Sequence, residues 1–381
     1  MEKKRPHILI VAGEASGDIH AAHLVDEIKK LDPEVTFSGL GGIHMKNSGV
    51  EIYHDLTKLA VVGFWEVLNH YGEFKKIFDS FLKKAKEIKP ACVILIDYPG
   101  FNLRLAKKLK EQHIKVIYYI SPQVWAWKKN RVHQIKKYVD RMLVIFQFEK
   151  DFYASFGMEV DFVGHPLADD IKVTVEKEAF LKGHHLQEYR LTIGILPGSR
   201  EKEIQRILPV MLKAASALQK NYPMLQFMIV KAPTIDSQLI YEQLSKNEQK
   251  IPVIEEDRYN AMHACDLCMV ASGTATLETA LLLKPMVVVY KTSFLTWALA
   301  KLFVKIPNIG LVNVVAGKRI VPECIQQEAT GSNIARHLES IFKDEIRIAQ
   351  IKTGLAEVKR SLDAGGASQK AAKLVLESLN S

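Results

Sequence analysis

Short apolar runs alternate with longer amphipathic stretches through the first 165 residues. The runs at 7–12, 35–39, 92–97, 116–120, 142–145 and 160–163 are rich in Val and Ile and lack polar alternation. That pattern predicts parallel strands covered on both faces. Helical periodicity fills 19–31, 64–88, 102–111 and 148–156. The stretch 169–187 is charged, has no strand character and reads as a linker. A second series follows, with strands expected at 191–196, 226–230, 252–254, 267–270 and 286–290. Its helices are expected at 202–221, 237–245, 258–264, 274–283 and 332–342, and 345–380 reads as two helices broken at Gly365-Gly366. The chain is therefore expected to be α/β, with two doubly wound Rossmann-like domains facing a cleft. The first covers 1–170, the second 188–345, and the closing helices 346–381.

Composition narrows this picture. A chain of 381 residues with 48% hydrophobic content is long enough for two sizeable cores. No run of 18 apolar residues appears, so no transmembrane helix is expected. The first apolar run is too short for a signal peptide and is followed by no cleavage signature, which points to a cytosolic protein. Cys265 and Cys268 have redox or zinc spacing, but no second pair accompanies them. With Cys92 and Cys324 they read as buried thiols. The formal charge of +9 suits phosphorylated substrates or an anionic membrane. Nucleic acid is disfavoured, because no finger, RNA-recognition or Arg-rich segment is present.

The candidate chemistry lies just after the strands, where ligands of such sheets bind. ASGTATLE (271–278) joins a strand to a helix through small residues, so backbone N–H groups can approach an anion. Glu278 in that first turn suits a sugar hydroxyl, and the segment fits a nucleotide-sugar site or an ordinary capped helix with Ser272 or Thr274 as N-cap. AGEASGD (12–18) occupies the place of a phosphate loop without its glycine pattern, and Glu14 and Asp18 would oppose a pyrophosphate. GLGG (39–42) is a close backbone approach or a plain tight turn. Asp97 ends a strand before Tyr98-Pro99-Gly100, as a general base or a turn-stabilising carboxylate. SPQVWAW (121–127) offers tryptophans for stacking or for the core, and KKNR (128–131) a phosphate contact or a solvated helix start. LPGSR (196–200) presents Arg200 as a fork for a diphosphate, while Glu201, Lys202 and Glu203 read as surface charges. Asn313 is a polar ligand or an Asx turn. Two apolar stretches, LAVVGFWEVL (59–68) and FLTWALAKLFVK (294–305), suit a membrane contact, an acyl groove or buried helices.

Taken in order, VAGEASGD (11–18), GLGG (39–42), ILIDYPGFN (94–102), SPQVWAW (121–127), VGHPL (163–167), LPGSR (196–200), SGTATLE (272–278) and VNVVAG (312–317) resemble the lipid A disaccharide synthase family. Those are inverting glycosyltransferases of GT-B architecture. The resemblance implies transfer of 2,3-diacylglucosamine from UDP-2,3-diacylglucosamine to 2,3-diacylglucosamine 1-phosphate, giving the β-1,6-linked disaccharide 1-phosphate and UDP. It implies no metal and no cofactor, and peripheral association with the cytoplasmic surface of the inner membrane. It makes Asp97 the base. It places substrate contacts at Glu14, Ser16, Gly17, Asp18, Gly42 and Trp125 in the first domain. In the second it places them at Arg200, Ser272, Gly273, Thr274, Ala275, Thr276, Glu278 and Asn313. The closing helices pack back across the domains by the same analogy. Val61, Val62, Phe64, Trp65 and Leu68 are expected to form an acyl or membrane patch. The competing readings are another GT-B enzyme using UDP-N-acetylglucosamine (a peptidoglycan-precursor transferase or a 2-epimerase) and a non-catalytic lipid-binding protein of the membrane surface.

Overall fold

The computed structural model describes residues 5–60, 71–126, 129–248, 250–293, 297, 307–362 and 365–380. Two compact units emerge: 1–166 with 364–381, and 167–363. The first holds β1 (His7–Ala12), β2 (Thr36–Gly41), β3 (Glu51–Asp55), β4 (Cys92–Ile96), β5 (Val116–Tyr119), β6 (Arg141–Val144) and β7 (Asp161–Phe162). All pair in parallel, in the order β3-β2-β1-β4-β5-β6-β7. The second holds β8 (Thr192–Leu196), β9 (Gln226–Val230), β10 (Val253–Ile254), β11 (Leu267–Ala271), β12 (Met286–Tyr290) and β13 (Glu323–Ile325), in the order β10-β9-β8-β11-β12-β13. Both sheets reverse their strand order once, between β1 and β4 and between β8 and β11. That reversal opens a crevice at the carboxyl ends of those two strands.

The central strands are buried along their whole length, which is why their sequences are continuous apolar runs rather than alternating ones. β3 and β13 escape the sequence pattern because they are edge strands carrying His54, Asp55 and Glu323. Residues 39–41, expected in a turn, belong to β2, and the chain bends only after Gly41. Gly39 is required there, since a Cβ would sit 1.9 Å from the carbonyl oxygen of Ile10 on the neighbouring strand. The stretch 169–187 is not a bare linker: helix Lys177–Gly183 packs on helix Arg258–Ala264. Asn260 Oδ1 accepts from the main-chain N–H groups of Thr174 and Val175 at 2.8 and 3.1 Å. Of the closing helices, Glu345–Leu362 belongs to the second unit. Ala367–Asn380 belongs to the first, where it packs on helix Ala15–Leu31. The four cysteines are buried thiols.

Burial holds two imidazoles of the first unit neutral, lowering His20 to about 4 and His165 to about 3. Unfolded, each titrates near its ordinary value of 6.5. Between that value and the folded one, the unfolded chain binds the extra protons, so stability falls as pH falls. The slope approaches roughly 1.4 kcal/mol per pH unit for each histidine. Thermal melts from pH 7 to 5 test this, and His165→Gln is expected to show a shallower acid-side decline than the parent. Identical slopes would remove the attribution.

Candidate functional site

In the first unit the crevice between β1 and β4 gathers Gly13 and Glu14 with Asp97 and Tyr98. Asp97 and Tyr98 are consecutive non-glycine residues at φ +42° and +46°. Left-handed backbone costs such residues roughly 1–2 kcal/mol each. Three devices hold them there. Asn102 Nδ2 donates to the carbonyls of Ile96 and Asp97 at 3.0 and 2.8 Å. The Tyr118 hydroxyl also donates to the Asp97 carbonyl. Pro99 then begins helix Pro99–Glu111 with its fixed φ. The Tyr98 ring lies across Gly13, where a Cβ would approach it to 2.1 Å. Asp97 is mostly covered, and desolvation, with a smaller contribution from the negative charge of Glu14, raises its carboxyl to about 7. A carboxylate of that basicity accepts a proton near neutral pH.

The remaining first-unit residues divide. Glu14 is exposed and close enough to Asp97 for its charge to act there, Ser16 is exposed, and Gly17 is buried in the helix. Asp18 is 2% exposed and faces protein, not solvent. It accepts from the main-chain N–H groups of Gly42, His44 and Met45 at 2.7, 2.9 and 3.3 Å. The expected substrate contact at Asp18 is thus a structural cap on helix Ile43–Asn47, and Gly42 is where the two segments meet. Trp125 is 9% exposed and edge-on to Phe148 at 5.1 Å, a place that supports its loop rather than one that stacks on a sugar. Beneath that loop Glu149, buried, accepts from the Phe146 N–H at 3.1 Å. Burial raises its carboxyl to about 8. Trp127, Lys128, Val61, Val62, Phe64, Trp65 and Leu68 lie outside the described residues, as does 294–305 apart from Trp297.

In the second unit the crevice between β8 and β11 is lined by 197–200 and 272–276. Gly198 takes φ +123° and Glu203 closes the turn, accepting from the Ser199 N–H at 2.9 Å. Glu203 is therefore part of the loop rather than a plain surface charge. Arg200 has an 81% exposed side chain whose ion pair among the described residues is with Glu203 at 3.5 Å, so it can swing onto a ligand. After β11, Gly273 has open space around its α-carbon and Thr274 is exposed. Ala275 opens helix Ala275–Leu281, and Thr276 Oγ1 donates back to the Gly273 carbonyl at 2.8 Å. Ser272 Oγ donates to the Ile309 carbonyl at 3.1 Å, tying this turn to the 308–317 loop. Glu278 is 7% exposed. Its Oε1 meets Arg258 Nη2 at 3.0 Å and accepts from the Tyr259 hydroxyl at 3.3 Å. Burial raises the Glu278 carboxyl and Arg258 opposes the rise.

Asn313 is not placed to contact a ligand. It is fully buried. Its Nδ2 donates to the Val321 carbonyl and Glu323 Oε1 at 2.9 and 2.8 Å. Its Oδ1 accepts from the N–H groups of Ile320 and Val321 at 2.8 and 3.1 Å. Every hydrogen-bonding position is used to fold the loop onto β13. Sequence reasoning missed Asn102, Tyr118, Glu149, Arg258, Tyr259 and Glu323. Asn102 left a signal, a polar residue at a helix position otherwise shared with the buried Phe101, Leu105 and Leu109. Arg258 left none, being one charge among many near a helix start.

The family described as lipid-A-disaccharide synthetase matches residues 8–377. A lipid-A-disaccharide synthase of Geobacter metallireducens is 42% identical over 372 residues, covering 98% of this chain and 97% of the relative. Lipid-A-disaccharide synthase 1 of Legionella pneumophila subsp. pneumophila is 40% identical, covering 98% and 97%. Among solved structures, UDP-GlcNAc 2-epimerase from Neisseria meningitidis bound to UDP-GlcNAc superposes with TM-score 0.65 at 17% identity, covering 97% of this chain and 100% of that one. The calicheamicin glycosyltransferase CalG4 does so with TM-score 0.62 at 12% identity, covering 99% of each. At such identities the structures establish the GT-B fold alone.

Proposed function

Since the chain belongs to the lipid-A-disaccharide synthetase family, we propose that Asp97 is the base of its sugar transfer and that the segments after β8 and β11 hold UDP. The protein is a glycosyltransferase that forms the lipid A disaccharide, and family membership carries this over 2-epimerisation, peptidoglycan-precursor transfer or a non-catalytic lipid-binding role. The donor is UDP-2,3-diacylglucosamine and the acceptor 2,3-diacylglucosamine 1-phosphate. Asp97 takes the proton of the acceptor 6-hydroxyl. The freed oxygen attacks C1 of the donor sugar from the face opposite UDP. The bond from C1 to the diphosphate oxygen breaks with its electron pair going to UDP, so the anomeric configuration inverts and no covalent enzyme intermediate forms.

Negative charge grows on the departing diphosphate. The main-chain N–H groups at 273–275 meet that charge already in place, and the guanidinium of Arg200 swings in to add to it, which lowers the barrier. Glu278, oriented through one oxygen by Arg258 and Tyr259, accepts from the ribose hydroxyls. The observation that carries the reading is the carboxyl of Asp97 held near 7 on a strained, multiply braced turn at the switch point of its sheet. Mass spectrometry of the product from the two named substrates tests the reaction. Arg200→Ala is expected to weaken UDP binding about 10–30-fold by calorimetry with no change in melting temperature, since the side chain is exposed. Unaltered UDP affinity would remove Arg200 from the site.

The same reading puts the protein at the cytoplasmic surface of the inner membrane. Both substrates carry acyl chains, and the net charge of +9 favours an anionic leaflet. No helix among the described residues is long and apolar enough to cross a membrane.

A further inference from the structure

Along helix Pro99–Glu111, which starts two residues after Asp97, lies a cavity of about 260 Å³ lined by Gly100, Leu103, Arg104, Lys107, Arg131 and Tyr138 among others. Its lining contains three cations and no carboxylate. Arg104 and Lys107 are exposed, and neither is hydrogen-bonded or ion-paired to a carboxylate among the described residues. Glu111 lies close enough to feel the charge of Lys107, but no carboxylate lines the cavity itself, so an anion that joins the three cations there relieves their mutual repulsion.

The geometry ties this pocket to the reacting centre. Gly100, Leu103, Arg104 and Lys107 follow the i, i+3, i+4, i+7 spacing of one helix face. The helix begins two residues after Asp97, so Arg104 stands only about 6 Å along the axis from Gly100. Side chains on a helix lean toward its N-terminus, the end at which Asp97 lies. Opposite them, Arg131 begins helix Arg131–Tyr138. Its charge is felt by Tyr118, whose hydroxyl holds the main chain of Asp97. Leu103 and the half-buried Tyr138 form an apolar floor.

We propose that Arg104, Lys107 and Arg131 form the subsite for the phosphomonoester of the acceptor. The inference rests on the reading above, in which the acceptor is a sugar 1-phosphate whose 6-hydroxyl meets Asp97. One end of the sugar ring is then read by the base and the other by the guanidinium and ammonium groups. The pocket selects a phosphorylated acceptor and fixes which hydroxyl faces the donor. Lys107, as a point charge, adds attraction, and the arginines add the planar fork that suits phosphate oxygens.

The test compares 2,3-diacylglucosamine 1-phosphate with its dephosphorylated counterpart as acceptor, in neutral detergent micelles, for the parent and an Arg104→Gln/Lys107→Gln variant. The parent is expected to prefer the phosphorylated acceptor by about 100-fold in kcat/KM, and the variant to lose at least tenfold of that preference, mostly through KM. A variant that keeps the preference, or loses the same factor on both acceptors, overturns the proposal, as does a parent with no preference. A loss seen only when micelles contain an anionic phospholipid assigns the pocket to membrane phosphates and also overturns it. If the parent makes no disaccharide from either acceptor, the underlying reaction fails instead. Single variants Arg104→Lys and Lys107→Arg provide the rescue control, since each keeps the charge and is expected to restore part of the preference.

Discussion

Replacing Asp97 by Asn is expected to lower kcat about 1,000-fold while leaving the KM for both substrates within a few-fold, as measured by UDP release and confirmed by product mass. General-base catalysis contributes typically about 10²–10⁴, and Asn has the shape of the carboxylate without its proton affinity. The same change is not expected to destabilise the fold. Asp97 has a folded value near 7 against an ordinary 3.8. Its contribution to stability is therefore fully present below about 4 and is lost as pH rises through 7. At pH 8 the parent keeps a partly desolvated charge beside Glu14, and the Asn variant melts at the same temperature or higher. The pH profile supplies a second reading. Below about 7 the base is protonated, so kcat falls toward tenfold per pH unit, and above it the rate levels off. Glu14→Gln removes the like charge that raises Asp97, so the inflection moves to lower pH. A profile whose inflection is unmoved by Glu14→Gln, or an Asn variant at parental rate, rejects Asp97 as the base.

Asn313→Ala is expected to act on stability rather than on substrate affinity. The substitution removes two donated and two accepted hydrogen bonds from a fully buried site. It leaves the N–H groups of Ile320 and Val321 and the carbonyl of Val321 without that partner. Glu323, which also accepts from the N–H groups of Ile309 and Gly310 at 3.0 Å each, loses one of its donors. Unpaired buried polar groups cost roughly 1–3 kcal/mol each, partly relieved by water entry, so a net loss of about 3–4 kcal/mol is reasonable. For a unit of this size that is a drop of roughly 10 °C in melting temperature. Calorimetric melting checks it. A variant that melts like the parent but binds UDP more weakly would return Asn313 to the role of direct ligand.

The two residues separate what is legible in a sequence from what is not. Asp97 could be found because a strand with no polar alternation ends in a carboxylate and then a Tyr-Pro-Gly break. Local order alone places such a residue at the carboxyl end of a parallel strand. Arg200, Gly273 and Thr274 were legible for the same reason, each lying within a few residues of a strand that only a buried sheet explains. Asp18, Trp125 and Asn313 carried equally suggestive chemistry, yet their side chains are spent on protein. Which way a polar side chain turns depends on partners 24 to 27 residues away for Asp18, and in Asn313 on β13, an edge strand whose Glu323 broke the apolar pattern. The bracing of Asp97 by Tyr118 and the pairing of Arg258 with Glu278 were invisible on the same ground.

The order of strands and helices, the two-unit α/β class and the positions of the loops at the carboxyl ends of the strands were fixed by apolar runs and turn residues, because backbone hydrogen bonding and burial act over a few residues at a time. The family followed from those loops read together. Tertiary structure decided the strand order that creates each crevice, the basicity of Asp97, and the division of polar residues between those open to a crevice and those holding the chain. Each of these is set by desolvation and by contacts between segments distant in sequence, and no local pattern of residues encodes them.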